Sequence, residues 1–307
     1  MKQFRKSNKK QSERFLNDFL KYAKMSKIYV INAQGKKEPF SVKKVYRSAR
    51  RAGASKELAF RIAKEVEKEA YLGIKTRKIF RRVLQLLKQE DKPAGIRFNL
   101  KEAIRKLGPT GFPFEKYIGE IFKAEGYNVS FNLHLSGKCG VLYEIDFIAW
   151  NQKRAYIGEC KFHKNLGERV DLKVALMNYA RFLDLKKSKY IQRFYGIEVY
   201  PLIVTNTKFT NQVIKYSNCV GQKLLGWRYP RGEGLERIIE ENKLYPVTIL
   251  PSFRKSLIDV FSSKKIMLVK DLCQYSSVQL SNMLNLPYKY TERLLEEARL
   301  LVKTSLR

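Results

Sequence analysis

The sequence predicts a multidomain protein of the α/β (α+β) class, and three observations carry that prediction. The first third reads as a β-hairpin followed by four helices. The middle reads as helix, three strands, helix and strand, the order of an α/β core. The last quarter is helical and cut by polar turns. A length of 307 residues fits two or three modules, and a hydrophobic content of 44% is enough to pack a core in each.

In the first third, a strand over residues 27–32, a turn at Ala33-Gln34-Gly35 and a strand over 36–40 form the hairpin. Ser41, Ser55 and Thr76 are hydroxyl N-caps for helices over 42–52, 56–71 and 77–88, because a side-chain oxygen there can accept a free backbone N–H. After Asp91-Lys92-Pro93 a fourth helix runs to about residue 107. The stop at Gly108-Pro109-Thr110-Gly111 marks a domain boundary. A helix over 114–125 ends at Gly126, and strands follow over 128–133, 142–150 and 155–163. A helix over 171–183 and an apolar strand over 199–205 complete this block. The four expected segments are a basic arm (1–26, with a short helix around Phe15, Phe19 and Tyr22), a module over 27–107, a module over 108–230, and a helical region over 231–307. In that last region, helices are expected over 252–262, 268–274, 277–282 and 290–302.

Charge narrows the partners. The chain carries 62 basic and 29 acidic side chains, a net charge of +33. The segment 27–108 alone holds 23 basic and 8 acidic residues. Such a field favours polyanions, because pairing with phosphates releases condensed counterions. Nucleic acid is therefore the expected partner, with a membrane surface second because no basic amphipathic anchor stands out. No apolar run nears the roughly 18 residues that span a bilayer, and no secretory core is present. Four scattered cysteines and two histidines disfavour a structural zinc site and suit reduced thiols in a cytoplasm.

The chemistry concentrates in the strands around residues 142–163. Side chains alternate along a strand, so Glu144, Asp146 and Ile148 share a face, as do Glu159 and Lys161, while Cys160 and Phe162 point inward. The short loop Asn151-Gln152-Lys153-Arg154 brings Asp146 beside Glu159. Two adjacent carboxylates are costly unless a cation lies between them. Mg²⁺ (or Mn²⁺) suits such oxygen ligands, with the Cys160 carbonyl as a further donor. Lys161 would orient a water or offset charge on a phosphate. Glu115, at the start of the preceding helix, completes the set, and His163 follows as a strand-end residue able to touch the same site. A solvated strand face is the alternative reading of Glu159-Cys160-Lys161 taken alone.

Together, Phe114-Glu115, Gly126-Tyr127, Glu144-Ile145-Asp146, Glu159-Cys160-Lys161, Val204-Thr205-Asn206 and Phe209-Thr210 resemble the restriction-endonuclease-like PD-(D/E)xK nucleases. More narrowly they are similar to the type IV restriction branch, over about residues 110–230. The resemblance implies that Asp146 and Glu159 bind Mg²⁺, that Lys161 is catalytic, and that Glu115 assists through a water. Many members of the branch have Gln where this chain has Glu159. Such nucleases often pair to cut both strands, which makes a homodimer a further expectation.

Upstream, Lys36, Lys37, Lys44 and Arg47 gather positive charge beside the helix start at Ser41, a setting suited to a phosphate. Val30, the run Gly35 to Ser41, Lys44-Val45 and Gly73-Ile74-Lys75-Thr76 resemble the ATP-cone, a regulatory nucleotide-binding domain. The resemblance implies ATP or dATP as effector, with Thr76 joining the four basic residues. No Gly-x4-Gly-Lys-Ser/Thr loop is present, so ATP hydrolysis by that machinery is not expected. The C-terminal leucines vaguely resemble helix–hairpin–helix repeats without the hairpin glycines; a helical cap on the core is the other reading. The leading expectation is a nucleotide-gated, metal-dependent DNA endonuclease. The alternative is a nucleotide-responsive nucleic-acid-binding or regulatory protein with an inactive nuclease fold.

Overall fold

The computed structural model of the chain describes residues 28–108, 112–165 and 167–303, so the basic arm and its expected helix lie outside the described residues. The architecture is α+β and divides into two compact units, the first reaching Asn99 and the second spanning Leu100–Lys303.

In the first unit, strands β1 (Tyr29–Ile31) and β2 (Lys37–Pro39) pair antiparallel. Asn32 shapes their turn: its side-chain oxygen accepts from the N–H groups of Gln34 and Lys36 at 2.9 and 3.0 Å. Gly35 supplies the positive φ of 76° that this turn requires. Helices α1 (Val42–Arg51) and α2 (Lys56–Glu69) start at Ser41 and Ser55, whose hydroxyls accept from Lys44 and Leu58 N–H as the sequence predicts. Thr76 does not cap. A two-residue strand, β3 (Ile74–Lys75), pairs parallel with β1 and runs straight into α3 (Thr76–Glu90), so Lys75 holds the cap position and Thr76 is already helical. The expected fourth helix is two helices. Asp91 caps α4 (Lys92–Phe98), and α5 (Leu100–Arg105) follows across Asn99 as part of the second unit. Ala49, Ala59, Ile62, Ala63 and Leu87 form the centre of the first core.

The second unit is built on a five-stranded sheet ordered β10-β8-β6-β5-β4. Helix α6 (Phe112–Ala124) leads into an antiparallel meander of β4 (Asn128–Ser136), β5 (Leu142–Trp150) and β6 (Arg154–Lys161). After the short strand β7 (Arg169–Val170), α7 (Leu172–Leu185) and α8 (Lys189–Gln192) cross to β8 (Glu198–Thr205), which pairs parallel with β6. Strand β9 (Lys208–Phe209) pairs with β7, and α9 (Asn211–Val220) returns the chain to β10 (Lys223–Leu225). Asn151 closes the β5–β6 turn by accepting from the N–H groups of Lys153 and Arg154.

Alternation separates the two faces of this sheet. Ala155 and Ile157 face α7 and α8 through Phe182, Leu185 and Ile191. On the other face Phe122 of α6 lies 5.3 Å from Phe147, which in turn covers Gly158 so closely that any side chain there would strike the ring. The remaining chain forms α10 (Leu235–Glu241), α11 (Ile258–Ser263), α12 (Val269–Leu272), α13 (Ser277–Leu284) and α14 (Tyr288–Lys303). The helix expected over 252–262 is a 3₁₀ turn, Lys255–Leu257, followed by α11. Two buried hydrogen bonds tie the 244–248 segment to the helices before the sheet: Tyr117 Oη to Leu244 O and Thr248 Oγ1 to Ala103 O, both 2.7 Å. Among the described residues no helix is long and apolar enough to cross a membrane, and all four cysteines are free.

Candidate functional site

The site forms where β5, β6, α6 and α7 meet. The register that pairs Phe147 with Gly158 places Asp146 across from Glu159. Asp146 does more than share the face: its Oδ2 accepts the Cys160 N–H at 2.6 Å, locking its carboxyl against β6. Glu159 Oε1 lies 2.5 Å from Lys161 Nζ. Its other oxygen receives Arg181 Nη2 from α7. Arg181 also donates to the Glu144 carbonyl at 3.1 Å and to Asn178 Oδ1 at 3.0 Å. The Glu159 side chain is 11% exposed, Arg181 20% and Lys161 40%, so the ammonium is the part of this cluster that meets solvent.

Electrostatics single out the same residues. Burial, and next the Glu159 charge, push Asp146 up to about 6, against the pull of the Cys160 N–H. Burial, followed by the charges of Asp146, Glu159 and Glu144, pushes Glu115 up to about 7. Burial works on Glu159 too, but Arg181 and Lys161 overcome it and hold that carboxyl below the ordinary glutamate range. The cluster therefore holds more carboxylate than its two cations neutralise easily, and Asp146 and Glu115 bear the excess. Perturbed carboxyls gathered at one place are a mark of functional sites.

The predicted residues distribute as follows. Asp146, Glu159 and Lys161 come together, and Glu115 is close enough for all three neighbouring carboxylates to act on it. The Cys160 side chain points inward and is buried. Glu144 is exposed and contributes a carbonyl to Arg181. His163 is tied elsewhere: its Nδ1 lies 2.9 Å from Thr207 Oγ1, and its backbone N–H donates to Asn206. Asn178 and Arg181 were not predicted. Their signal was present as two polar residues spaced i, i+3 among Ala175, Phe182 and Leu185, the buried side of α7. Asn178 Nδ2 is buried with no protein partner.

In the first unit, Ile31 of β1 is flanked by Lys37 on β2 and Lys75 on β3. Lys37 Nζ lies 4.8 Å from the Tyr29 ring centre. Lys44 pairs with Glu38 at 3.6 Å, and Glu38 accepts from Asn32. Lys36 and Arg47 are exposed, and Thr76 begins α3.

Known proteins match both ends of the chain. Residues 28–101 match the ATP cone domain and residues 245–302 the AF1548-like C-terminal domain. An uncharacterised protein of Archaeoglobus fulgidus (strain ATCC 49558 / DSM 4304) is 41% identical over 133 residues, 43% of this chain and 71% of the relative. The chain belongs to the AF1548-like family. The crystal structure of AF1548, a protein of unknown function, superposes on this AF1548-like protein with TM-score 0.53 at 33% identity, covering 62% of the chain and 97% of AF1548. Protein VC1899 from Vibrio cholerae gives TM-score 0.27 at 16% identity over 60% of the chain and 52% of its own. The ATP-cone match supports a nucleotide effector for the first unit.

Proposed function

We propose that this AF1548-like protein is a Mg²⁺-dependent endonuclease acting on double-stranded DNA, with a nucleotide-binding ATP cone that regulates it through ATP or dATP. The observation that carries the proposal is the juxtaposition of Asp146, Glu159 and Lys161 on one face of β5 and β6, beside Glu115. It is supported by the helix–three strands–helix–strand order around them, which resembles the restriction-endonuclease-like nucleases. The net charge of +33 supports a polyanionic substrate.

The donor set fits a divalent cation in its chemistry. The raised proton affinities of Asp146 and Glu115 express burial first and the neighbouring carboxylates second, and a cation would offset both. Asp146 and Glu115 are the carboxylates least committed to protein cations, whereas Glu159 is free to join only when Arg181 gives way. Among the described residues no group of three His, Cys, Asp or Glu side chains forms a ready cage. A bound Mg²⁺ or Mn²⁺ would polarise a phosphoryl oxygen and offset its developing charge. Lys161, the exposed cation of the cluster, would hold the same phosphate from the other side. Glu115, poised near neutrality, would take the proton of an attacking water. A pair of copies would serve both strands.

The test is nicking of plasmid and oligonucleotide duplexes with Mg²⁺ or Mn²⁺. Asp146→Ala and Lys161→Ala should each slow it by at least ~100-fold, and equal nicking by wild type and both variants would sink the proposal. The engagement of both Glu159 oxygens favours a second reading, a nucleotide-responsive DNA-binding protein without cleavage. Tight, salt-dependent duplex binding without metal-dependent nicking would select it. Calorimetry with ATP, dATP and ADP tests the effector, with loss of heat expected in Lys37→Glu/Lys44→Glu.

A further inference from the structure

A second concavity lies on the opposite face of the same sheet. Lys161 ends β6 at the carboxylate cluster, and Arg154 begins it seven residues away, about 23 Å along an extended strand. Tyr156 alternates to the other face from Glu159. Beside it opens a cavity of about 640 Å³, lined among others by Tyr127, Arg154, Tyr156, Asn218, Lys223 and Glu233.

The walls of this cavity carry tyrosines, the cations Arg154 and Lys223, and the carboxylates Glu125 and Glu233, of which Glu125 already accepts from Asn242; Tyr200 stands beside the lining. Tyr156 pairs in register with Tyr200 on β8, and the ring centres are 6.1 Å apart. Tyr127 stands 5.8 Å from Tyr156, and Phe122 backs both at 5.5 and 5.8 Å. Lys223 Nζ lies 4.4 Å from the Tyr200 ring centre, and Arg154 Nη1 reaches Tyr156 Oη at 3.4 Å. Tyr127, Tyr156 and Tyr200 are all half-buried, and Arg154, Asn218, Lys223 and Glu233 are exposed around the opening. Half-exposed tyrosine rings leave π surface for a flat ligand, and the flanking cations suit an anion attached to it. Asn218 and Glu233 can accept from exocyclic amino groups. The volume falls within the range of small-molecule sites.

We infer that this cavity binds a nucleobase carried on a phosphate, separately from the ATP cone and from the carboxylate cluster. The base stacks against Tyr127 and Tyr156, and the phosphate meets Lys223, with Arg154 at the edge of the opening. The same chemistry is offered by a free nucleotide and by an unstacked base at the end of a nucleic acid strand. The site does not depend on phosphodiester hydrolysis.

Photolabelling of the full chain tests this, with 8-azido-AMP as one probe and a 5′-phosphorylated oligothymidylate carrying 5-iodouracil as the other. Adducts are mapped by mass spectrometry. Labelling at Tyr127 or Tyr156 is expected, unchanged when Lys37→Glu/Lys44→Glu disables the ATP cone. It should fall about tenfold in Tyr156→Leu, the loss of one stacking contact, and likewise in Lys223→Glu, an exposed site whose substitution leaves the core intact. Adducts from the azido-nucleotide alone would identify free nucleotide as the ligand; adducts from the oligonucleotide alone would identify a strand. Adducts confined to residues 28–101 with both probes, or undiminished labelling in Lys223→Glu, would overturn the inference.

Discussion

The candidate sites of the two units handle charge in opposite ways. At the first, the cations beside Ser41 stand in solvent, although the same unit buries Arg97 elsewhere: the Lys44 side chain is 72% exposed and its partner Glu38 42%. At the second, Glu159 is 11% exposed and clamped by Arg181 and Lys161, while Asp146 and Glu115 are displaced far from ordinary carboxyl behaviour. Exposed charge is nearly free to keep and can wait for an anionic ligand. Buried charge must be matched within the fold, and where the match is incomplete the mismatch marks where a cation or substrate would be gained.

The largest effect should come from Arg181→Ala. It leaves Glu159 buried beside Asp146 with only Lys161 opposite, and a loss of about 3 kcal/mol in denaturant unfolding at pH 7 is expected. Glu159 sits below its ordinary range in the folded protein, so the stability it contributes is present above that range and disappears on acidification. The cost of Arg181→Ala should therefore shrink in acid. A loss under about 1 kcal/mol at pH 7 would erase the contrast between the two sites.

Asp146→Asn should act in the other direction. The folded protein holds the Asp146 proton up to about 6, above the ordinary 3.8, so stability falls as pH rises between these values and the full cost is present above them. The amide can still accept the Cys160 N–H. Asp146→Asn should stabilise the protein by on the order of 1–2 kcal/mol at pH 8 and hardly at all at pH 4. Thermal unfolding at both pH values reads this directly, and an equal shift at both would show that the charge is not the cause. The smallest effect belongs to Lys44→Ala, whose exposed pair should leave stability within about 0.5 kcal/mol. A destabilisation as large as that of Arg181→Ala would mean that the basic cluster beside Ser41 also depends on matched charge.

Much of the carboxylate cluster was legible because its geometry is local. The four residues at the β5–β6 turn set the register, and strand alternation then puts Asp146 and Glu159 on one face. Thr76 was misread because β3 ends against the helix start, and a hydroxyl there looks the same in sequence whether it precedes the helix or opens it. The break at Asn99 was hidden for a similar reason: the residues on both sides of it favour helix, and the division between units falls there through packing. Arg181 lies 22 residues beyond Glu159, and only the docking of α7 on the sheet brings them together.

Composition, caps and periodicity thus determined the fold class, the polyanion-attracting charge and the pairing of Asp146, Glu159 and Lys161, since all of these rest on neighbours along the chain. Tertiary structure alone decided which of those carboxylates keeps its proton, which guanidinium holds Glu159, and which tyrosines line a cavity on the far face. Tyr156 and Tyr200 meet only because β6 and β8 are parallel neighbours joined by a long crossover. Proton affinity and cavity shape depend on burial and on groups distant in sequence, and those are properties of the packed molecule.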